Sequence, residues 1–258
     1  MPSLTKRAWR RFCVLPLINK TVLIGDDKFK AVRFCLRKSE REIQYGLFEN
    51  CHNLEDFFQF SSQMFGPHQI KHEILSFLQF ASVDQPKYVC EIGTGDGGTT
   101  FLLSQTLSNV SLMIAVDLYV KNRVQLRFFS RNFQQIHFVN GRSCSPGTLR
   151  KVQQILENKR LDLLFIDGDH KYEGVTQDFL NYRHLVREGG IIAFHDIVPD
   201  HYTRYGIKTG RWVGDVPRLW NRLKLFYHFH EFVEDPSQDG LGIGVIRYSN
   251  KVALQDNF

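Results

Sequence analysis

Cysteine, methionine and long apolar runs are all scarce in this chain. Its cysteines, Cys13, Cys35, Cys51, Cys90 and Cys144, are odd in number and widely spaced, with no C-x-x-C pair among them. Such spacing supports neither a disulfide framework nor a thiolate metal centre, and it fits reduced thiols in a cytoplasmic protein. No apolar stretch approaches the roughly 20 residues that a spanning helix needs, so no transmembrane segment is expected. The start, MPSLTKRAWRRFCVLPLINK, joins a basic stretch to a short apolar patch. Pro16 interrupts that patch and no small-residue cleavage site follows, so it does not read as a signal peptide. Beyond residue 66 no basic patch is interleaved with aromatics, which argues against a nucleic-acid partner.

What the chain does have is a core. Hydrophobic residues make up 43%, enough to bury one, and the 22 phenylalanines suit aromatic packing inside it. The net charge of +6 is modest and concentrated early, at Lys6, Arg7, Arg10, Arg11, Lys20, Lys28, Lys30, Arg33, Arg37, Lys38 and Arg41. A basic segment of this kind is either a solvated helical face or a contact for an anionic membrane surface or a nucleic acid. Residues 1–65 are therefore read as a helical, basic extension serving as a lid, a dimer contact or a peripheral surface-binding segment. Residues 66–258 form the main domain. There HQIKHEILSFLQFA (68–81) places Ile70, Ile74, Leu75 and Leu78 on one helical face. Short apolar runs follow at 87–92, 112–117, 135–140, 161–167 and 190–196, separated by segments long enough for crossover helices. In one of these, Val175, Phe179, Tyr182 and Val186 recur a turn apart. Alternation of strands and helices predicts a doubly wound, Rossmann-like α/β sheet, and FHEFVED and GLGIGVIRY around PSQDG predict an antiparallel hairpin at its end. Ligands of such sheets bind beyond the carboxyl ends of the strands.

The first of those ends carries CEIGTGDGG (90–98), in which Gly93, Gly95 and Gly98 satisfy G-x-G-x-x-G. Asp117, ending the next strand, can accept hydrogen bonds from ribose hydroxyls. These features serve NAD and S-adenosylmethionine equally, and the glycine pattern alone does not separate them. Three others favour S-adenosylmethionine. Glu91 would repel a pyrophosphate but suits a cationic methionine end. Asp96 sits badly where a helix start should receive a pyrophosphate. The strands ending in FIDGDH and FHD carry an acid–histidine cluster that hydride transfer does not need.

EIGTGDGGTT, FIDGDHKYEGVTQDF, REGGIIAFHDIVP, GDVPRLWNRLK and GIGVIRY together resemble the successive signatures of class I S-adenosylmethionine-dependent methyltransferases. Within that class they resemble the subgroup of sugar and macrolide O-methyltransferases and cephalosporin-hydroxylase-like proteins, over about residues 69–248. The resemblance implies a seven-stranded sheet, six strands parallel and the last antiparallel. It implies a cofactor site of Glu91, Gly93, Thr94, Gly95, Gly98 and Thr99 around the turn, Asp117 at the ribose, Ser143 near the adenine, and Asp167. Many members carry an acid where this chain has Arg142. The acceptor it implies is a small hydroxylated metabolite or sugar of natural-product biosynthesis, with the enzyme a homo-oligomer.

Asp167, Asp169 and His170 end the fourth apolar run; His195 and Asp196 end the fifth. Oxygen-rich ligands of this sort suit Mg²⁺ or another hard divalent ion, and an imidazole suits a general base near neutral pH. By the resemblance the metal ligands are Asp167, His195 and Asp196, and the base is His170. His195 stands where the family has an acid, which shifts preference toward Mn²⁺, Fe²⁺ or Zn²⁺, or leaves the site without a metal. Asp169, Tyr172, His201 and Tyr202 are substrate candidates, with Tyr205, Arg211 and Trp212 behind them. Gln69 and Glu73 either line the cofactor site from below or form a surface pair one turn apart. Metal-independent N-methylation and a noncatalytic cofactor-binding or interaction module are the alternatives to O-methylation. The acidic-Pro-Pro-aromatic motif of base methylation does not occur.

Overall fold

The computed structural model of the chain describes residues 25–252. Of the early basic residues, Lys6, Arg7, Arg10, Arg11 and Lys20 therefore lie outside the described residues. Four helices come first: α1 (Gly25–Leu36), α2 (Lys38–Glu49), α3 (Leu54–Met64) and α4 (Lys71–Ser82). Then β1 (Tyr88–Ile92), α5 (Gly98–Thr106), β2 (Leu112–Asp117), α6 (Arg123–Phe128) and β3 (Gln135–Asn140) form one half of the sheet and its crossovers. The other half is α7 (Pro146–Leu156), β4 (Leu161–Ile166), α8 (Tyr172–Tyr182), β5 (Val186–His195), α9 (His201–Tyr205), α10 (Val216–Leu223), β6 (Phe229–Phe232) and β7 (Ile243–Arg247).

The strands make one seven-stranded sheet in the order β3-β2-β1-β4-β5-β7-β6. β3 through β5 pair in parallel, and β7 runs antiparallel to both β5 and β6. The terminal hairpin is thus present, with β7 inserted between β5 and the edge strand β6. Strands buried on both faces read as unbroken apolar runs, and β1, β2 and β4 do so because helices cover both sides. One core contains Val175, Phe179 and Tyr182 of α8 with Leu219 and Trp220 of α10. The opposite core contains Ile74, Phe77 and Leu78 of α4 with Phe101 of α5.

The phenylalanines collect on that second side. Phe60 of α3 lies 5.3 Å from Phe101 and 5.0 Å from Phe129, and Phe34 of α1 lies 5.1 Å from Phe128. Edge-on and tilted contacts at these distances are the favourable arrangements for aromatic pairs. The early helices are therefore held against the sheet's covering helices by aromatic packing. Ser61 adds a buried hydrogen bond to the Gly98 carbonyl, 3.1 Å long. None of the described helices is long and apolar enough to cross a membrane.

One boundary differs from the sequence expectation in a way that matters for the site. The helix expected from residue 68 begins at Lys71, and the N-cap Ile70 is extended (φ −66°, ψ 134°). Residues 68–70 stay outside the helix, and the Gln69 side chain drops toward the strand ends instead of following the helical face.

Candidate functional site

Register explains why the motif residues meet. Ile92 pairs with Val116 on one side and Ile166 on the other, and Ile166 pairs with Phe194. The next residue along each strand is Gly93, Asp117, Asp167 and His195 in turn, so all four stand at one level of the sheet. β1 is the point where the chain turns from building one half to building the other, the position where doubly wound sheets open a crevice. A cavity of about 700 Å³ occupies it, walled by the glycine turn, Asp117, Ser143, Asp167, Asp169, His170, Asp196 and the segment 210–213.

Gly93 is obligatory at its place. Its φ is +84°, and a Cβ there would lie 1.8 Å from the carbonyl oxygen of Asp167. The Asp167 amide donates to the Ile92 carbonyl and holds β4 against β1 here, while the Gly93 amide donates to the Val116 carbonyl of β2, each at 2.8 Å. Gly98 is held for a similar reason, since its Cβ would meet Pro67 at 2.6 Å. Gly95 has φ +50° and open space around it. Asp117 organises the turn: its carboxylate accepts from the Gly95 amide (3.0 Å), the Thr94 hydroxyl (3.4 Å) and the Tyr119 amide (3.0 Å).

Glu91 is not on the cavity wall. It is fully buried behind the turn, where Oε2 accepts from the Thr100 hydroxyl and Oε1 has no partner. Burial pushes its carboxyl well above the ordinary range; the Thr100 hydrogen bond opposes this, while Asp167 and Asp117 add to it. In the unfolded chain the group releases its proton near its ordinary value of 4.5, whereas the folded protein retains it. The unfolded state then binds fewer protons, so this group erodes stability as pH rises above that value. Glu91→Gln, which is neutral throughout, is expected to be less pH-sensitive than the wild type. The melting-temperature difference, variant minus wild type, should grow with pH in ligand-free thermal scans; a difference that shrinks or stays flat contradicts the assignment.

The acid–histidine cluster is assembled from two strand ends and one loop. Asp167 Oδ2 accepts from the Gln69 amide at 3.0 Å, and Gln69 Oε1 in turn accepts from the Thr99 hydroxyl at 2.7 Å. Gln69 thus ties the start of α5 to the end of β4, within the site. Glu73 is also buried, not a surface partner; it turns toward the terminal hairpin and accepts from the Gly242 amide (3.0 Å) and the Gln238 side chain (2.7 Å). His195 Nδ1 lies 3.1 Å from Asp167 Oδ1 and 3.5 Å from Asp196 Oδ1, and its Nε2 is sealed away without a partner. Burial alone would lower the His195 pKa, but the two carboxylates outweigh it and raise it well above the ordinary value. Asp196 answers in the other direction. Burial would raise it, and the charges of His195, His170 and Arg211 bring it below the ordinary value. Its backbone occupies the left-handed region at φ +65°, a conformation Asp tolerates better than most residues and one that recurs at functional sites.

His170 completes the cluster. Its Nδ1 is 3.1 Å from the Trp212 carbonyl, and a carbonyl can only accept, so Nδ1 carries a hydrogen. Nε2 then faces Asp196 Oδ2 at 3.4 Å and Asp167 Oδ1 at 3.9 Å. One ligand atom from each of Asp167, His170 and Asp196 falls within 4.8 Å of the others. The trio brought together differs from the expected one by having His170 in place of His195.

The other expected residues divide. Ser143 and Asp169 line the cavity, as do Arg211 and Trp212. Tyr172 does not: its ring lies under the Arg218 guanidinium at 4.2 Å and its hydroxyl accepts from Arg222 at 3.0 Å. His201 and Tyr202 are also off the wall, His201 being drawn to Asp239 through its amide (2.7 Å). Asp178 was not anticipated. Its carboxylate is buried at the cavity's edge with neither oxygen inside hydrogen-bonding distance of a partner. Burial pushes it up to about 6, with the Ser143 hydroxyl and Asp169 amide offsetting part of the effect from farther away. No periodicity marks it, since its helix face reads as ordinary core.

Comparison with known proteins agrees with this architecture. Residues 90–197, from β1 through the end of β5, match a family model described as a methyltransferase domain. An uncharacterised protein of Acanthamoeba polyphaga mimivirus is 34% identical over 122 residues, 44% of this chain; the chain spans about half (52%) of that relative's length. Among solved structures, the O-methyltransferase TomG from Streptomyces achromogenes, in complex with SAM, has a TM-score of 0.55 at 13% identity, covering 83% of this chain and all (100%) of its own. An O-methyltransferase from Bacillus cereus in complex with SAH has a TM-score of 0.52 at 17% identity, with 80% and 97% covered. MycE of the mycinamycin pathway, in complex with Mg and SAH, has a TM-score of 0.50 at 18% identity, with 74% and 54% covered. Identities this low establish likeness of fold. The family match falls on the very strands whose ends build the cavity, and residues 90–197 therefore match a methyltransferase domain set in a Rossmann-like methyltransferase fold.

Proposed function

We propose that the protein methylates an oxygen of a small hydroxylated acceptor, with a divalent cation held by Asp167 and Asp196 and with His170 as general base. The observation that carries this reading is the convergence of acceptor atoms. Two carboxylates and an imidazole whose hydrogen is committed to the Trp212 carbonyl turn their lone pairs toward one another. Like-signed atoms at this spacing repel unless a cation or proton sits among them. Oxygen-rich donors with one imidazole fit a hard or borderline divalent ion, so the residues present suit such a group. His195, buried and bonded through Nδ1 to Asp167, fits the part of fixing that carboxylate's orientation.

S-adenosylmethionine, when bound, supplies a sulfonium methyl carbon open to in-line displacement. A divalent cation at the two carboxylates would lower the pKa of a hydroxyl brought to it. The chain's own residues do the rest. The turn at Gly93–Gly95 would hold the cofactor, and Asp117 would accept hydrogen bonds from its ribose hydroxyls. Gln69 keeps Asp167 and the start of α5 at fixed separation. His170 Nε2 takes the acceptor's proton, its tautomer set by Trp212. Most of the acceleration comes from holding donor and acceptor at attack distance.

Methyl transfer from labelled S-adenosylmethionine to a panel of vicinal diols and catechols tests the reading. Chelation is expected to lower the rate by roughly 10²-fold or more, with Mg²⁺ or Mn²⁺ restoring it. Transfer indifferent to chelator would remove the metal, and transfer only to amines would remove the oxygen acceptor.

A further inference from the structure

The cavity is built with two electrical ends. Asp167, Asp169 and Asp196 stand around the reacting centre, whereas the wall segment 210–213 carries one cation, Arg211, and no acid. The guanidinium of Arg211 has no hydrogen bond or ion pair among the described residues, although the residue lines the cavity. It shares that wall with Asp167, His170 and Asp196.

Next to it, Trp212 is stacked on His170, ring centroids 5.3 Å apart and planes 26° from parallel, yet 62% of it is exposed. An indole this open beside a general base is an unfilled stacking surface. Both residues sit on a rigid support. The Val213 amide donates to Asp200 Oδ2 at 3.2 Å, and the Asp215 amide donates to the His170 carbonyl at 2.8 Å. Gly214, at φ +59°, passes so close that a Cβ would lie 2.2 Å from that same carbonyl. The loop therefore fixes Arg211 and Trp212 relative to His170.

We infer that the acceptor is a ring compound bearing both its hydroxyl and an anionic group, carboxylate or phosphate, with the ring against Trp212 and the anion on Arg211. The inference rests on the methyltransferase reading above and names the acceptor class of that same site. A guanidinium fork reads the planar oxygens of carboxylate or phosphate better than an ammonium does.

The test uses the full chain saturated with S-adenosylhomocysteine and a divalent ion, and reads binding directly by calorimetry, apart from turnover. Two matched pairs serve as probes: 3,4-dihydroxybenzoate against 3,4-dihydroxybenzyl alcohol, and glucose 6-phosphate against glucose. The anionic member of at least one pair is expected to bind about tenfold or more tightly than its neutral counterpart. Which pair shows the preference identifies carboxylate or phosphate as the anion. Arg211→Gln should abolish the preference while leaving S-adenosylhomocysteine affinity unchanged, and Trp212→Ala should weaken both members of that pair. Equal binding of charged and neutral probes, no binding of either anionic probe, or a preference that survives Arg211→Gln overturns the inference. Failure of the underlying reading looks different: S-adenosylhomocysteine itself would not bind.

Discussion

Replacing His170 with glutamine is expected to lower kcat by roughly 10²–10⁴-fold, the usual contribution of a positioned general base. Glutamine can still donate to the Trp212 carbonyl that now receives His170 Nδ1 at 3.1 Å, so the loop at 210–215 should stay docked. What it cannot do is accept a proton. Affinity for S-adenosylmethionine should therefore change little while the rate falls. Asp167→Asn gives a different signature. It removes the charge that faces His195 Nδ1 at 3.1 Å and leaves that buried ring with a weaker partner, for a stability loss of roughly 1–3 kcal/mol. It should also raise the divalent-ion concentration needed for half-maximal rate, which His170→Gln should not. A His170→Gln enzyme within a few-fold of wild type, or one rescued by added metal, sinks the base assignment and makes His170 a ligand.

The strand ends were legible in the sequence because parallel strands announce themselves as apolar runs, and whatever follows each run must appear at the same edge. That logic places Gly93, Asp117, Asp167 and His195 together before any coordinate is known, and the pairings of Ile92, Val116, Ile166 and Phe194 show the mechanism. Side-chain direction was less legible. Gln69 and Glu73 look like a surface pair one turn apart, yet both are buried and they point to different places. Glu73's partners, Gln238 and Gly242, lie 165 and 169 residues away, beyond the reach of any local pattern. Tyr172 follows the motif by two residues but belongs to α8, whose first turn carries its ring to Arg218 instead of the cavity. Glu91 was read as a cavity residue because it neighbours the turn. Strand alternation puts it on the face that packs against α5, where Thr100 meets it. Arg211 and Trp212 stand only as the weakest substrate candidates in the sequence, since a loop's docking depends on contacts such as Gly214 against His170.

Gly93→Ala is expected to have the largest effect on the folded state, and comparison with Gly95→Ala separates the two reasons for glycine in the turn. At both positions φ is positive, +84° and +50°, so alanine pays about 1–2 kcal/mol for its backbone conformation at either. At Gly95 nothing lies within 4 Å of the added carbon, and that conformational term is the whole cost. At Gly93 the methyl would sit 1.8 Å from a backbone carbonyl oxygen. Neither chain can retreat without breaking the two 2.8 Å hydrogen bonds that join β1 to β2 and β4 at this level. The total loss at Gly93 should reach roughly 3–5 kcal/mol, among the large values that arise from strain and overpacking. For a domain of this size that is a fall in melting temperature of about 6–20 °C, against a few degrees for Gly95→Ala. The site should suffer in the same order. Pushing the Asp167 carbonyl away also moves its carboxylate from Gln69 and His195, so Gly93→Ala should lose turnover and cofactor binding together. Equal melting temperatures for the two variants would mean that β1 and β4 can part at their ends, and the close approach would then not be what selects glycine at position 93.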